Sequence, residues 1–385
     1  ANFDKWDSLG HVQVLFSVEE VLNRKLSAEE AISIVDVDAL EILLKQSGSP
    51  LPNDKQPAAK LWKDEGVTII AENGSNHNGV LGTALELIDT AADCGANIVK
   101  FQGFLADDLL AADDPDFALI KKLEVPREWY PELMTRCVMR GVTFLSTATN
   151  FTTMEWMEKF GVTGYKIASC NFSHRPILDQ LIDYGKPIII STGLAVLEEV
   201  TSLAAYLHNR GFRDYAFLHC VSKYPAAPED LNLENITTLR EALSCPVGFS
   251  DHSPGSHMAV AAVALGARIV EKHISLDKVG VSPDHEVAVL PDEFKIMCGA
   301  IRDAEKALRP NFVPDPEVVW GMRRSIRFVR PMKVGEAVGE GDVKITRPED
   351  GLKPESLPDV CGRRLICDVS VNQPVTWEVL EGIGK

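Results

Sequence analysis

Residues 67–102 read VTIIAENGSNHNGVLGTALELIDTAADCGANIVKFQ, and the order of their textures decides the fold. An apolar, β-branched run ends in an acid, Glu72, and a turn rich in Asn and Gly follows. Then LGTALELIDTAADCGA spaces its apolar residues by three and four and stops at a glycine, before NIVKFQ opens a second apolar run. Strand, turn, helix and strand in that order make a βαβ unit. Asn78 and Gly79 are ordinary turn residues, because both types tolerate positive φ. Glu72 is a different matter, since an acid closing a buried strand is aimed at something. Asn76 and His77 read as the frame that aims it, with His77 a weaker site candidate.

The same unit recurs along the chain. Runs of strand character lie at 67–72, 97–102, 142–147, 165–169, 187–192, 215–220, 246–251 and 268–273, eight in all, separated by helical stretches such as MAVAAVALGA that end at glycine. Eight strands with crossover helices are the arithmetic of an α/β fold closed as a (β/α)8 TIM barrel. An open doubly wound sheet is the alternative, but no GxGxxG follows the first strand. The expected organisation is a helical N-terminal extension over 1–66, a barrel over 67–310, a proline-rich linker over 311–322 and a small β-rich domain over 323–385.

With 45% hydrophobic residues the composition is that of a globular protein, and a net charge of −17 argues against nucleic-acid or anionic-membrane partners. No run reaches the roughly eighteen apolar residues of a membrane helix, and the N-terminus lacks a signal-peptide pattern, so a cytoplasmic protein is expected. The cysteines form no CxxC pair and read as reduced core residues.

In a barrel the C-terminal strand ends converge on one face, where active sites are built. Seven of the eight runs end in Glu, Gln, Thr, Ser, Asp or His, and His219 is next to last in the other. His252 and His273 stand at neighbouring strand ends with Asp251 and Glu271 alongside, a donor set that suits a divalent metal with open positions. Lys100 and Lys166 lie near strand ends, among Ser146, Thr147, Ser169, Ser191, Thr192 and Ser250. Lysines, hydroxyls and loop amides are the parts of a phosphate or carboxylate site, although spacing alone leaves a Schiff-base role open for Lys100.

The stretches AENGSNHNG, VKFQ, YKIAS, STG, HCVSKYPA, GFSDHS, ALGARIVEKHISLD, PDH and TRPEDG, in this order over about 67–385, together resemble the sialic acid synthase family with its C-terminal antifreeze-like (SAF) domain. HCVSKYPA and GFSDHS are most similar to the branch of the spore-coat polysaccharide biosynthesis protein E. The resemblance implies condensation of phosphoenolpyruvate with an N-acylated hexosamine to give a nonulosonic acid and phosphate. It assigns the divalent metal, Mn2+ first and Mg2+ or Co2+ otherwise, to His252 and His273, and phosphoenolpyruvate to Lys100, Lys166, Thr147, Ser169, Ser191 and Ser250. Asn171, Glu271 and Ser222 fall among the substrate contacts, and Glu72 becomes a proton-handling carboxylate. Gln102, Tyr224, Asp284 and Arg347 match sugar positions, Arg347 reaching a partner's site in a domain-exchanged homodimer.

This chain departs from the family pattern in several places. Asn171 stands where members usually carry a glutamate, and an amide cannot take a proton at neutral pH. Ser222 replaces an asparagine found in some members, Ser282 replaces the usual glycine before PDH, and the tail turn is less glycine-rich. A metal-dependent pyruvate aldolase and a noncatalytic sugar-acid-binding homologue are the alternative functions.

Overall fold

The computed structural model describes residues 61–308 except 64, residues 313–382, and Ser27. The expected N-terminal helices lie outside the described residues. The chain divides into two compact units, Ala1–Leu308 and Arg309–Lys385.

The first unit is a closed barrel of eight strands in sequence order. They are β1 (Thr68–Gly74), β2 (Ile98–Gly103), β3 (Thr143–Ala148), β4 (Tyr165–Ile167), β5 (Ile188–Ser191), β6 (Tyr215–Cys220), β7 (Val247–Asp251) and β8 (Ile269–His273). Every neighbouring pair is parallel, and β8 pairs with β1 to close the ring. A helix follows each strand: α1 (Leu81–Cys94), α2 (Tyr130–Met139), α3 (Phe151–Phe160), α4 (Arg175–Tyr184), α5 (Leu197–Asn209), α6 (Asn235–Ala242), α7 (His257–Ala264) and α8 (Pro291–Ala307). Glycines 95, 161 and 185 end α1, α3 and α4 in the left-handed conformation that the sequence pattern implied. Strand β4 is shorter than the run 165–169, because Ser169–Asn171 leaves the sheet as a 3-10 turn.

Period-two alternation sorts the strand residues into two cores. Ile70, Ile98, Leu145, Ile189, Ala216, Leu218 and Ile269 face inward and fill the barrel with Leu61, while Val99, Phe101, Phe144, Ile167, Ile190 and Phe217 face outward under the helices. One inward step further along, the positions become Glu72, Lys100, Thr147, Lys166, Ser191, Cys220, Ser250 and Glu271, all buried. The floor is therefore apolar and the upper barrel is ionic, a division set by residue identity at i and i+2.

The second unit has its own core of Ile326, Phe328, Met332, Val360, Leu365 and Val375 among others. Its strands β9 (Ser325–Phe328) and β10 (Val343–Thr346) pair antiparallel. The stretch expected as linker carries a short helix, α9 (Pro316–Met322), because Asp315 caps it through Glu317 N and Pro316 occupies the first turn. Among the described residues no helix is long and apolar enough to cross a membrane.

Candidate active site

The upper barrel holds two carboxylates and two lysines. Lys100 is ion-paired with Glu72 and stands 3.7 Å from Glu271 Oε1, with its Nζ 3.4 Å from Thr147 Oγ1. Lys166 donates to Ser191 Oγ at 2.7 Å and lies 3.5 Å from the same Glu271 oxygen. Ser250 donates to Glu271 Oε1 at 3.0 Å, and Glu72 Oε1 accepts from Gly74 N at 2.6 Å.

These charges set one another's protonation. Burial alone would raise the pKa of Glu271, but Lys100, Lys166 and His273, with the Ser250 hydrogen bond, hold it at about 2. Burial lowers Lys100 to about 8, with Glu271 opposing the shift and Lys166 adding to it. Glu271 is thus a fixed anion, whereas Lys100 titrates near neutrality.

The two histidines complete the mouth. Their ring centroids are 5.5 Å apart, and Tyr224, half exposed, lies 4.1 Å from the His252 ring. His252 Nδ1 donates to Val221 O at 2.8 Å, which leaves Nε2 free as a lone-pair donor. His273 Nδ1 is buried and finds no hydrogen-bond partner among the described residues. Burial lowers both pKa values, that of His273 to about 3, so both rings are neutral. Among the described residues no group of three or more His, Cys, Asp or Glu side chains is arranged to hold a metal.

Beside them, Ser169, Ser222 and Cys220 crowd around Gly193, whose amide donates to Ser169 Oγ at 3.0 Å, and Cys220 Sγ lies 3.7 Å from His252 Nδ1. A Cβ on Gly193 would stand 2.6 Å from Ser222 Oγ and 2.9 Å from Ser169 Oγ, so only glycine leaves this cradle open. Asn171 donates to Ala148 O at 3.4 Å. Asp284 Oδ2 accepts from Ser75 N at 2.9 Å and Ser75 Oγ at 3.0 Å, and it lies so close to Gly74, at φ +52°, that a Cβ there would meet it at 2.2 Å. The side-chain amide of Gln102 borders the same place. Arg347 belongs to the second unit, where it is exposed just beyond β10.

Alternation corrects several expectations. Asp251 does not flank the metal position: it points outward and pairs with Lys272. Ser146 points outward toward Tyr130, Thr192 donates to Leu218 O, and the His219 ring bonds Leu231 O. A polar strand end is a site residue only when its parity matches the inward row. Cys170 and Cys367 are exposed instead of core, Cys170 because it sits in the turn after β4.

The turn after β1 frames a neighbour more than it frames Glu72. Asn76 donates to Ile274 O and accepts from Ser282 Oγ, both at 2.9 Å, which ties β1 to the loop carrying Asp284. His77 is fully buried, accepts from Gly79 N at 3.1 Å, packs edge-on to Trp129, and is kept neutral by burial at about 4. Ser75, Ser282 and Cys220 were not singled out by the sequence as site residues. The inward parity of Cys220 at the end of β6 and the departure of Ser282 from glycine were the available signals, and Ser75, in the turn after β1, had none.

The NeuB family matches residues 87–311, and the SAF domain matches residues 323–381. The chain is 36% identical over 324 residues to the uncharacterized protein MJ1065 of Methanocaldococcus jannaschii, covering 83% of this chain and 96% of that one. It is 33% identical to the N,N'-diacetyllegionaminic acid synthase of Campylobacter jejuni over 315 residues, 77% of this chain and 94% of that one. The crystal structure of the spore coat polysaccharide biosynthesis protein SpsE of Bacillus subtilis superposes with a TM-score of 0.60 at 34% identity, covering 86% of this chain and 99% of that one. The barrel with its inward ionic row, the family match over most of that barrel and these relatives agree: the chain belongs to the NeuB family and carries a C-terminal SAF domain.

Proposed function

We propose that this protein condenses phosphoenolpyruvate with the open-chain form of an N-acylated hexosamine, giving a nonulosonic acid and inorganic phosphate. The observation that carries this reading is the adjacency of two buried lysines, a hydroxyl cradle open at Gly193, and two neutral histidines whose rings are 5.5 Å apart. Anion recognition and carbonyl activation are thereby available in one barrel mouth.

The residues fit a divalent ion, Mn2+ first. His252 has one ring nitrogen committed to Val221 and the other free, and the orphaned Nδ1 of His273 is unexplained without a partner. Two imidazoles leave positions for water and substrate. When bound, such an ion acts as a Lewis acid on the acceptor's carbonyl.

Lys100 and Lys166, with Thr147, Ser169, Ser191, Ser222 and Ser250, bind the carboxylate and phosphate of phosphoenolpyruvate. Its carbon 3 forms the new bond to the aldehyde carbon, and the aldehyde oxygen gains a proton. Water adds at carbon 2 and loses one proton, after which the carbon–oxygen bond to phosphate breaks, the leaving phosphate takes the electron pair and the remaining hydroxyl proton, and a ketone is left. With an amide at Asn171, the proton moves at another group. Glu271, held at about 2, is too weak a base. Glu72, the other carboxylate of the barrel mouth and the ion-pair partner of Lys100, is the residue assigned to take and return it. Gln102, Tyr224 and Asp284 orient the sugar. Arg347 is assigned to the site of a second copy in a domain-exchanged homodimer.

The test is a coupled phosphate assay with phosphoenolpyruvate, Mn2+ and N-acetylmannosamine, its 6-phosphate or diacetamido-trideoxyhexoses. Release is expected only with all three components present. Tight pyruvate binding without phosphate release would favour an aldolase instead.

A further inference from the structure

The two histidines that face the site are each preceded by a residue that faces away from it, and those two residues are bonded to each other. Asp251 and Lys272 are opposite in the β7–β8 register. Lys272 Nζ lies 3.0 Å from Asp251 Oδ2, and neither side chain has exposed surface. The same ammonium donates to Ser253 O, while Asp251 Oδ1 accepts from Ser253 N at 2.8 Å and Ser253 Oγ at 2.6 Å. One lysine therefore grips both neighbours of His252, and its own peptide carries His273.

A buried ion pair is a poor means of gaining stability, because desolvating both charges offsets most of their attraction and an apolar pair of similar volume serves as well. The other outward residues named above form no ion pair: Phe101, Phe144, Ile167, Ile190 and Phe217 are apolar, and Ser146, Thr192 and His219 are polar without being charge-paired. The charged pair sits at the seam between the two histidine-bearing strands, and its hydrogen bonds go to the peptide around His252.

We propose that the Asp251–Lys272 pair is a positioning device that fixes the separation and direction of the His252 and His273 rings, so that a divalent cation binds without reorganisation of the barrel mouth. This rests on the reading of those histidines as metal ligands. Lys272 and Asp251 touch neither metal nor substrate, and act through the strands they join.

The variant that tests this is Asp251→Asn/Lys272→Met, which removes both charges without orphaning one and keeps an oxygen for Ser253. Mn2+ is titrated into the metal-free full chain while the resonance of free aqueous Mn2+ is followed, with His252→Ala as control and thermal melts to verify folding. Wild type is expected to bind, His252→Ala to lose binding, and the double variant to bind about tenfold or more weakly while still folded. Double-variant affinity equal to wild type overturns the positioning role and leaves the metal reading intact. If wild type does not bind Mn2+, the metal reading fails, and deuterium exchange at the histidine C2 carbons of the metal-free protein decides the positioning role. Exchange at His252 and His273 severalfold faster in the double variant, with exposed His208 unchanged, supports it. Equal rates at all three overturn it.

Discussion

Glu271 on β8 and Lys166 on β4 come from opposite sides of the barrel and face each other at 3.5 Å. The carboxylate thus spans the mouth, serving Lys166 and Lys100 together. Glu271→Gln leaves two buried ammoniums without their shared anion. Turnover is expected to fall by roughly 10²–10³, the scale of losing one preorganised electrostatic partner. Steady-state kinetics check this, and a variant with wild-type kcat would show that Glu271 is a packing residue.

Lys100 gives the pH dependence. Its folded pKa of about 8 lies below the ordinary 10.5, chiefly through burial. Between those values the unfolded chain keeps a proton that the folded chain has released, so this lysine costs stability below pH 8 and the cost fades as pH rises toward 10.5. Binding of an anionic substrate runs the other way, and kcat/KM is expected to drop as pH passes about 8. Glu271 contributes at the acid end: its folded pKa of about 2 lies below 4.5, so its stabilisation is present above 4.5 and lost as pH falls toward 2. A pH profile of kcat/KM that stays flat across 8 would remove Lys100 from substrate binding.

Glu72→Gln separates proton handling from binding. The amide keeps an acceptor for Gly74 N but has no charge for Lys100 and no useful basicity. A kcat reduced by about 10²–10⁴ is expected, with phosphoenolpyruvate affinity changed far less. Isothermal titration with phosphoenolpyruvate beside turnover measurements tells the two apart. Asn171→Glu is expected to leave the wild-type rate unimproved, whereas a large gain would return the proton role to position 171.

Gly74→Ala tests how the β1 turn sets Asp284. The added methyl meets Asp284 Oδ2 at 2.2 Å, and alanine is strained at φ +52°. A stability loss of about 1–3 kcal/mol is expected, together with a raised KM for the sugar and an unchanged KM for phosphoenolpyruvate. Equal effects on both substrates would detach Asp284 from sugar recognition.

The barrel was legible because each βαβ unit repeats the same texture and its glycines end the helices where a left-handed cap is needed. Lys100, Lys166, Glu271, His252 and His273 were legible for a related reason, since polar residues at the ends of apolar strands have few other uses. What the linear pattern blurred was parity. Ser146, Thr192, His219 and Asp251 are equally polar and equally near strand ends, yet one position of shift turns each to the outer face. The cradle at Gly193 and the Ser75–Ser282–Asp284 contacts, with 2.7 Å between the two serine hydroxyls, come from segments far apart in sequence, and no local spacing announces them. Leu61 illustrates the same limit, because it fills the barrel floor from outside the strand pattern altogether.

Carbon–carbon bond formation from phosphoenolpyruvate with rupture of its carbon–oxygen bond to phosphate leaves an isotopic signature. The Mn2+-loaded full chain is incubated with the acceptor panel and phosphoenolpyruvate carrying 18O in the bridging position, and the phosphate and the sugar product are then weighed by mass spectrometry. Acceptor-dependent release of phosphate that retains the 18O is expected, in equal amount with a product three carbons longer than the sugar. Failure of every acceptor to release phosphate, or acceptor-independent release without the label, would contradict it.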